Sequence, residues 1–158
     1  MLRIAIGSDR AGLSLKNTLA RDLRTSDQVT LITDVGAGND PRPYPEIGCA
    51  AALLVARGHV DRAVLVCHTG AGMAIAANKV RGVRAVVGHD PLTVEHAVTA
   101  NNAQVLALGQ GVIETALARR LLGLWLGCRF DPSSSAAVKV ALLDEFETHH
   151  LIGSAHAH

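Results

Sequence analysis

At 158 residues the chain is long enough for one domain with a full core. It is 49% hydrophobic but only 3% aromatic, so that core is built from Ala, Val, Leu and Ile. A net charge of +1, with no basic run and few rings for base stacking, argues against a nucleic-acid binder, and no apolar run approaches the roughly 20 residues of a membrane span.

The opening Met-Leu-Arg-Ile-Ala-Ile reads as a strand start and not as a signal peptide, because the apolar run is short and lacks a cleavage region. Strand one is expected from Leu2 to Gly7, and a helix from Gly12 to Leu23 carries Leu13, Leu15, Leu19 and Leu23 at helical spacing. Strand two runs from Val29 to Thr33, and a Gly-, Asp- and Pro-rich loop, GAGNDPRPYP, follows. An Ala-rich helix spans Glu46 to Arg57, strand three Ala63 to Val66, and a small-residue helix starts at about Gly72 and ends at Asn78-Lys79. Strand four is expected from Val83 to Val87. Pro91 opens a helix to about Ala100 with Asp90 as N-cap. Strand five spans Val105 to Leu108, helix five Ile113 to Leu126, and a last helix Ser135 to Phe146.

Strands separated by single helices imply a parallel sheet covered on both faces. Right-handed crossovers make this an α/β fold, a Rossmann-like three-layer αβα sandwich with a five-stranded parallel sheet. Residues 1–148 are read as a single domain. Residues 149–158, with His149, His150, His156 and His158, are read as a mobile tail. Helix five is apolar over much of its surface, through Leu121, Leu122, Leu124, Trp125 and Leu126, and part of that face is expected to meet another subunit. Cys49, Cys67 and Cys128 are odd in number and widely spaced, which fits a reducing cytoplasm better than a disulfide framework. No CxxC or HxxH pair marks a metal site, and no cofactor fingerprint is present.

The chemistry concentrates in RAVLVCHTGAGMAIAANK, residues 62–79. Cys67 ends a buried strand and faces the free N–H groups that open the next helix. Those groups and the helix dipole stabilise an oxyanion and favour a thiolate. A base and an oxyanion cradle in one loop suit removal of a proton next to a carbonyl. The plainer reading is a core cysteine before a tight turn. Asp9 follows strand one and so points at the same crevice, since ligands in such sheets bind beyond the carboxyl ends of the strands. It serves either as a helix N-cap or in proton transfer and hydroxyl binding. Arg10 is either a solvated side chain or a fork for phosphate. His68, next to Cys67, points the opposite way on an extended strand end, so a Cys–His dyad is not expected. Thr69 donates to the thiolate or to a substrate oxygen. Asn101, Asn102 and Gln104 cap the preceding helix or bind sugar hydroxyls.

GSDRAG, YPEIG, CHTGAGMAIAANKVRGVRA and NNAQVLALG, in that order and spacing, resemble the ribose-5-phosphate isomerase B family, which also includes the two galactose-6-phosphate isomerase subunits. The resemblance runs from about Leu2 to Phe146. It implies a metal-free aldose–ketose isomerase of Rossmann-like fold, needing no cofactor, assembled as a homodimer or dimer of dimers with active sites shared between chains. Residue by residue it implies that Cys67 moves the proton between C1 and C2 through a cis-enediolate and that Thr69 supports it. Gly70, Ala71 and Gly72 form the anion hole. Asp9 lies at the sugar end, Tyr44 lines the pocket, and Asn101 is reached from the partner subunit.

The departures bear on the substrate. The family usually has His where Arg10 and Ala100 stand, the first on phosphate and the second opening the furanose ring. It usually has Arg in place of Gly111 and two more after the fifth helix, where this chain reads FDPSSSAAVKV with Lys139 the nearby cation. Arg10 and His68 are the candidate groups left for substrate binding beside the anion hole. A tetrose 4-phosphate has no hydroxyl free to close a five-membered ring, so it needs no ring-opening His, and some relatives lacking that His are tied to erythritol or threitol catabolism. Ribose 5-phosphate and a four-carbon analogue, erythrulose 4-phosphate or erythrose 4-phosphate, both stay open. So does a non-catalytic sugar-phosphate-binding subunit.

Overall fold

Five apolar runs line up as parallel strands in the order β2-β1-β3-β5-β4: β1 Leu2–Ser8, β2 Val29–Asp34, β3 Arg62–Cys67, β4 Ala85–Val87 and β5 Val105–Gly109. The computed structural model describes residues 1–36, 39 and 42–152, the last two by their backbone only. Six helices connect and flank the strands: α1 Leu13–Thr25, α2 Tyr44–Ala56, α3 Ala71–Asn78, α4 Pro91–Thr99, α5 Thr115–Gly127 and α6 Ala136–Ile152. This is the expected α/β sandwich.

Side-chain alternation sorts the two faces. Ile4, Ile6, Val64, Val66, Leu106 and Leu108 point to one layer, where they meet α1, α4 and α5. Ala5, Ala63, Leu65, Cys67, Val105 and Ala107 point to the other, against α2 and α3. Small residues dominate that second face. Gly48 of α2 lies so close to α3 that a β-carbon on it would stand 2.8 Å from Ala76 Cβ. Since α1 leaves β1 toward one face and α3 leaves β3 toward the other, the crevice between the carboxyl ends of β1 and β3 is the switch point at which ligands of such sheets bind.

Several boundaries differ from expectation. A 3-10 turn over Arg10–Gly12 precedes α1, because Asp9 accepts from Gly12 N–H and holds the chain tightly before the helix begins. Tyr44, expected in a loop, starts α2, with Pro45 in the first turn where its missing N–H costs nothing. Of the loop expected at 36–45, residues 37, 38, 40 and 41 lie outside the described residues. Helix α6 continues through His149 and His150 to Ile152, past the expected end at Phe146, so the boundary expected at 148 falls within a helix. His150 stacks on Phe146 with ring centroids 4.0 Å apart, an i,i+4 pair that extends the helix. His156 and His158 lie outside the described residues.

The apolar face of α5 is the chief correction. Leu121, Leu122, Trp125 and Leu126 are buried in the chain's own core and not offered to a second subunit. Helix α5 sits against α1 and α4 over the sheet, so its broad apolar surface is used within the chain. The guanidinium of Arg62 lies over the Trp125 ring at 5.0 Å and donates to the Trp125 and Cys128 carbonyls, closing the α5 carboxyl end. Burial lowers the Arg62 pKa to about 10. Exposed apolar side chains occur instead on α6, where Val138, Leu142 and Phe146 form an i,i+4 stripe, each at least 60% exposed. Among the described residues, no helix is long and apolar enough to cross a membrane.

Candidate active site

Cys67 is the last residue of β3 and is buried, 5% exposed. Its Sγ accepts the Gly70 N–H at 3.2 Å. That contact requires the chain to reverse within three residues, and Gly70 does so with φ +84°, in the left-handed region that glycine enters without steric cost. Gly70 is the N-cap of α3. The Ala71 N–H reaches Thr69 Oγ1 at 3.4 Å. The next amides, of Gly72 and Met73, belong to a first turn whose N–H groups have no acceptor within the helix. Thiol and amide donors thus share one turn, as the sequence predicts.

Tyr44 is brought to this turn. A β-carbon on Gly72 would stand 2.8 Å from Tyr44 Cε2, so the ring lies directly on the glycine. Asp9 arrives from the neighbouring strand: Ser8 pairs with Val66, which puts Asp9 and Cys67 one residue beyond the same register position. Gly12 makes this possible by packing on the Val66 carbonyl, where no side chain fits. Asp9 also plays the plainer role, since its Oδ1 accepts from Gly12 N at 3.2 Å. Arg10 is exposed beside it.

His68 turns away from Cys67 and lies over Gly111, close enough that any side chain at 111 would overlap the imidazole. No Cys–His pair forms, in agreement with the strand geometry. The space where the resemblance places an arginine is filled by His68.

Asn101 is not part of this cluster within one chain. Helix α4 leaves the carboxyl end of β4 and runs back, so Asn101 emerges near the start of β5. The adjoining Asn102, at φ +48°, accepts from Arg84 Nε on the segment entering β4. A five-residue strand, roughly 15 Å at the usual rise, separates that end from the Cys67 turn.

Three residues around the site escaped the sequence reading. Lys16, 1% exposed, donates to Asp34 Oδ2 at 2.7 Å and the Gly36 carbonyl at 2.8 Å, anchoring the chain that leads toward Tyr44. Gln110 Oε1 accepts from Leu15 N at 2.9 Å and ties α1 to the end of β5. His89 Nε2 accepts from Gly109 N at 2.9 Å. The rule that picked out Asp9 and Cys67, looking just past strand ends, points equally to His89 after β4 and Gln110 after β5. Concavity alone points elsewhere: a groove of about 660 Å³ between the end of α1 and α5, lined by Asp22, Arg119 and Arg120 among others, includes none of the expected site residues. Among the described residues, no group of three or more His, Cys, Asp and Glu is arranged to hold a metal ion.

Fold and turn together define a doubly wound α/β protein with a buried cysteine set against the first turn of a helix at its switch point. The ribose/galactose isomerase family profile matches residues 4–143. D-erythrulose-4-phosphate isomerase 2 of Mycolicibacterium smegmatis is 51% identical, over 88% of this chain and 93% of its own length. Ribose-5-P isomerase B of Listeria innocua is 40% identical, over 92% and 97%. Among solved structures, ribose-5-phosphate isomerase B of Clostridium thermocellum superposes with a TM-score of 0.87 at 35% identity, covering 94% of this chain and 99% of that one. The chain therefore belongs to the ribose/galactose isomerase family, and by that membership it is an isomerase.

Proposed function

We propose that the protein interconverts a four-carbon ketose phosphate and its aldose, erythrulose 4-phosphate and erythrose 4-phosphate, with Cys67 as the base. The observation that carries this reading is the contact of Cys67 Sγ with Gly70 N–H at the start of α3, which puts a proton acceptor and an oxyanion cradle in one turn. Cys67, as thiolate, takes a proton from C1 of the ketose. The electron pair forms the C1–C2 double bond, and O2 becomes an oxyanion held by the amides of residues 70–72. Asp9 carries the O1 proton across to O2, and return of the carbon-bound proton from Cys67 to C2 as C1 becomes the carbonyl then yields the aldose with both side chains restored. The exchange is internal, C1 oxidised and C2 reduced, so it balances without a redox partner. Thr69 supports the thiolate, and Tyr44 walls the cradle at Gly72. Arg10 and His68 are the side chains beside the turn available to hold the phosphate, His68 lying over Gly111 where the family usually has an arginine.

Substrate length follows from Ala100, which can neither donate nor accept a proton. A furanose then depends on its scarce open-chain form, whereas a four-carbon 4-phosphate cannot close a five-membered ring. Similarity to an enzyme named for erythrulose 4-phosphate supports the same choice.

The reading includes a homodimer whose partner supplies Asn101. Support comes from the position of Asn101 at the far end of the sheet and from the exposed stripe of Val138, Leu142 and Phe146 on α6. Cys49, Cys67 and Cys128 are all free, which suits a thiol base working in the reducing cytoplasm.

An isomerisation assay over tetrose, pentose and hexose phosphates tests the proposal. The value of kcat/KM for erythrulose 4-phosphate is expected to exceed that for ribose 5-phosphate by about tenfold or more, roughly 1.4 kcal/mol in the barrier. Ala100→His narrows the gap by raising activity on ribose 5-phosphate. A wild-type preference for ribose 5-phosphate overturns the substrate, and no turnover of any member of the panel overturns the activity.

A further inference from the structure

The turn that carries Cys67 rests on the end of β5, and a histidine holds that end. Cys67 pairs with Gly109 across the sheet. A β-carbon on Gly109 would stand 2.5 Å from the Thr69 carbonyl carbon, so Thr69 sits directly on the glycine. The position a β-carbon would take on Gly70 is 3.3 Å from Gly109 N. Gln110 N–H and Gly111 N–H donate to the carbonyls of Cys67 and His68, each at 2.9 Å. The Gly109 N–H itself donates to His89 Nε2 at 2.9 Å, from a strand end twenty residues away.

We infer that His89 is a positioning residue for Cys67: its neutral imidazole, with the proton on Nδ1, accepts the Gly109 N–H and fixes the floor beneath Cys67, Thr69 and Gly70, and protonation of Nε2 releases that floor. An imidazolium has two N–H donors and no acceptor, so the Gly109 bond cannot survive it. The role rests on the isomerase reading above, in which Cys67 must meet a carbon-bound proton in fixed geometry.

The surroundings favour the neutral ring. Burial pushes the His89 imidazole below the ordinary histidine value, while Asp90 pulls it back up. Asp90 is the N-cap of α4, with its carboxylate oxygens on Thr93, and is the charged neighbour on the element His89 precedes. Across Gly109 the β3–α3 turn presents Cys67 and His68. The end of β5 presents Gly109, Gln110 and Gly111, none of which titrates, and β4 presents Val87. The sign is therefore definite. The Gly109 bond is intact above the ordinary histidine value of about 6.5 and is lost as pH falls through the lower folded value.

The test compares wild type, His89→Leu and His89→Gln by kcat and KM on erythrulose 4-phosphate from about pH 5 to 8. His89→Leu, which cannot accept the bond, is expected to lower kcat by about tenfold to a hundredfold with little change in KM, the scale of a slightly misplaced reacting group. His89→Gln offers a carbonyl oxygen that accepts the same N–H and does not titrate. It is expected to restore most of kcat and to lose the acid-side fall that His89 gives the wild type. An unchanged kcat and pH profile in His89→Leu, or an unshifted acid limb in His89→Gln, overturns the role. A readout independent of turnover separates this from failure of the activity: ¹⁵N spectra of the wild-type imidazole at neutral pH should show Nε2 without a proton. Should the wild type isomerise nothing, the proposed activity fails while the tautomer still judges the Gly109 bond. A proton found on Nε2 overturns the role even if His89→Leu does not fold.

Discussion

At the carboxyl end of the sheet the turns after β3 and β5 are locked by backbone. Thr69 rests on Gly109, Gln110 and Gly111 hold the Cys67 and His68 carbonyls, and Gly70 N–H points at the thiol. At the opposite end, Asn101 stands exposed after α4, beside an Ala100 with no proton to give. The first region is organised for chemistry within one chain. The second carries a polar group that chemistry in this chain cannot reach. On the proposed function these are two halves of one site that meet only across two chains. The same proposal gives the exposed apolar stripe on α6 a partner chain to cover it.

The largest effect that bears on the contrast is loss of the base. Cys67→Ala should lower kcat by about 10²-fold or more while leaving the fold intact, because Ala fills less of the same buried space. Near-normal turnover in that variant would return Cys67 to a packing role. Next comes the floor of the turn. Gly109→Ala puts a methyl against the Thr69 backbone, which cannot rotate away as a side chain could. Steady-state kinetics should show kcat down by about tenfold or more, and thermal melts a loss of about 1–3 kcal/mol. The far side of the comparison is broken by Leu142→Glu, which places a charge in the α6 stripe. Sedimentation should then show monomers at micromolar concentration, with activity lost in proportion. A monomer of full activity would contradict the shared site. The smallest expected effect is on packing alone. Gly48→Ala crowds Ala76 between α2 and α3 and should cost about 1 kcal/mol in denaturant unfolding with kcat unchanged.

Much of the first region was legible in the sequence. The alternation of short apolar runs and helices placed all five strands. The rule that ligands bind past strand ends brought Asp9 and Cys67 together. Each of these features is local in the chain. What escaped notice depends on contacts between distant segments. His89 reads as an ordinary loop residue until β5 is seen to lie between β3 and β4, which puts Gly109 N–H against its ring. Lys16 reads as the polar side of a helix until Asp34 and Gly36 fold over it. The apolar surface around Trp125 could serve a core or an interface equally well in sequence. Only the packing of α5 against α1 and α4 assigns it to the core. Composition likewise gave no sign that α6 would leave Val138, Leu142 and Phe146 in the open, since an i,i+4 apolar stripe most often marks a buried face.

The division of the site between two chains is tested most directly by mixing two disabled variants, Cys67→Ala and Asn101→Ala, unfolding and refolding them together at equal concentration. Each alone should be nearly inactive on erythrulose 4-phosphate. If Cys67 of one chain works with Asn101 of its partner, half of the refolded dimers are mixed. One of the two sites in each mixed dimer then escapes both substitutions, so the mixture should recover about a quarter of wild-type kcat per chain. A mixture no more active than the sum of its parts, from Asn101→Ala chains that are themselves inactive, would place both residues in the same subunit's site and contradict the account.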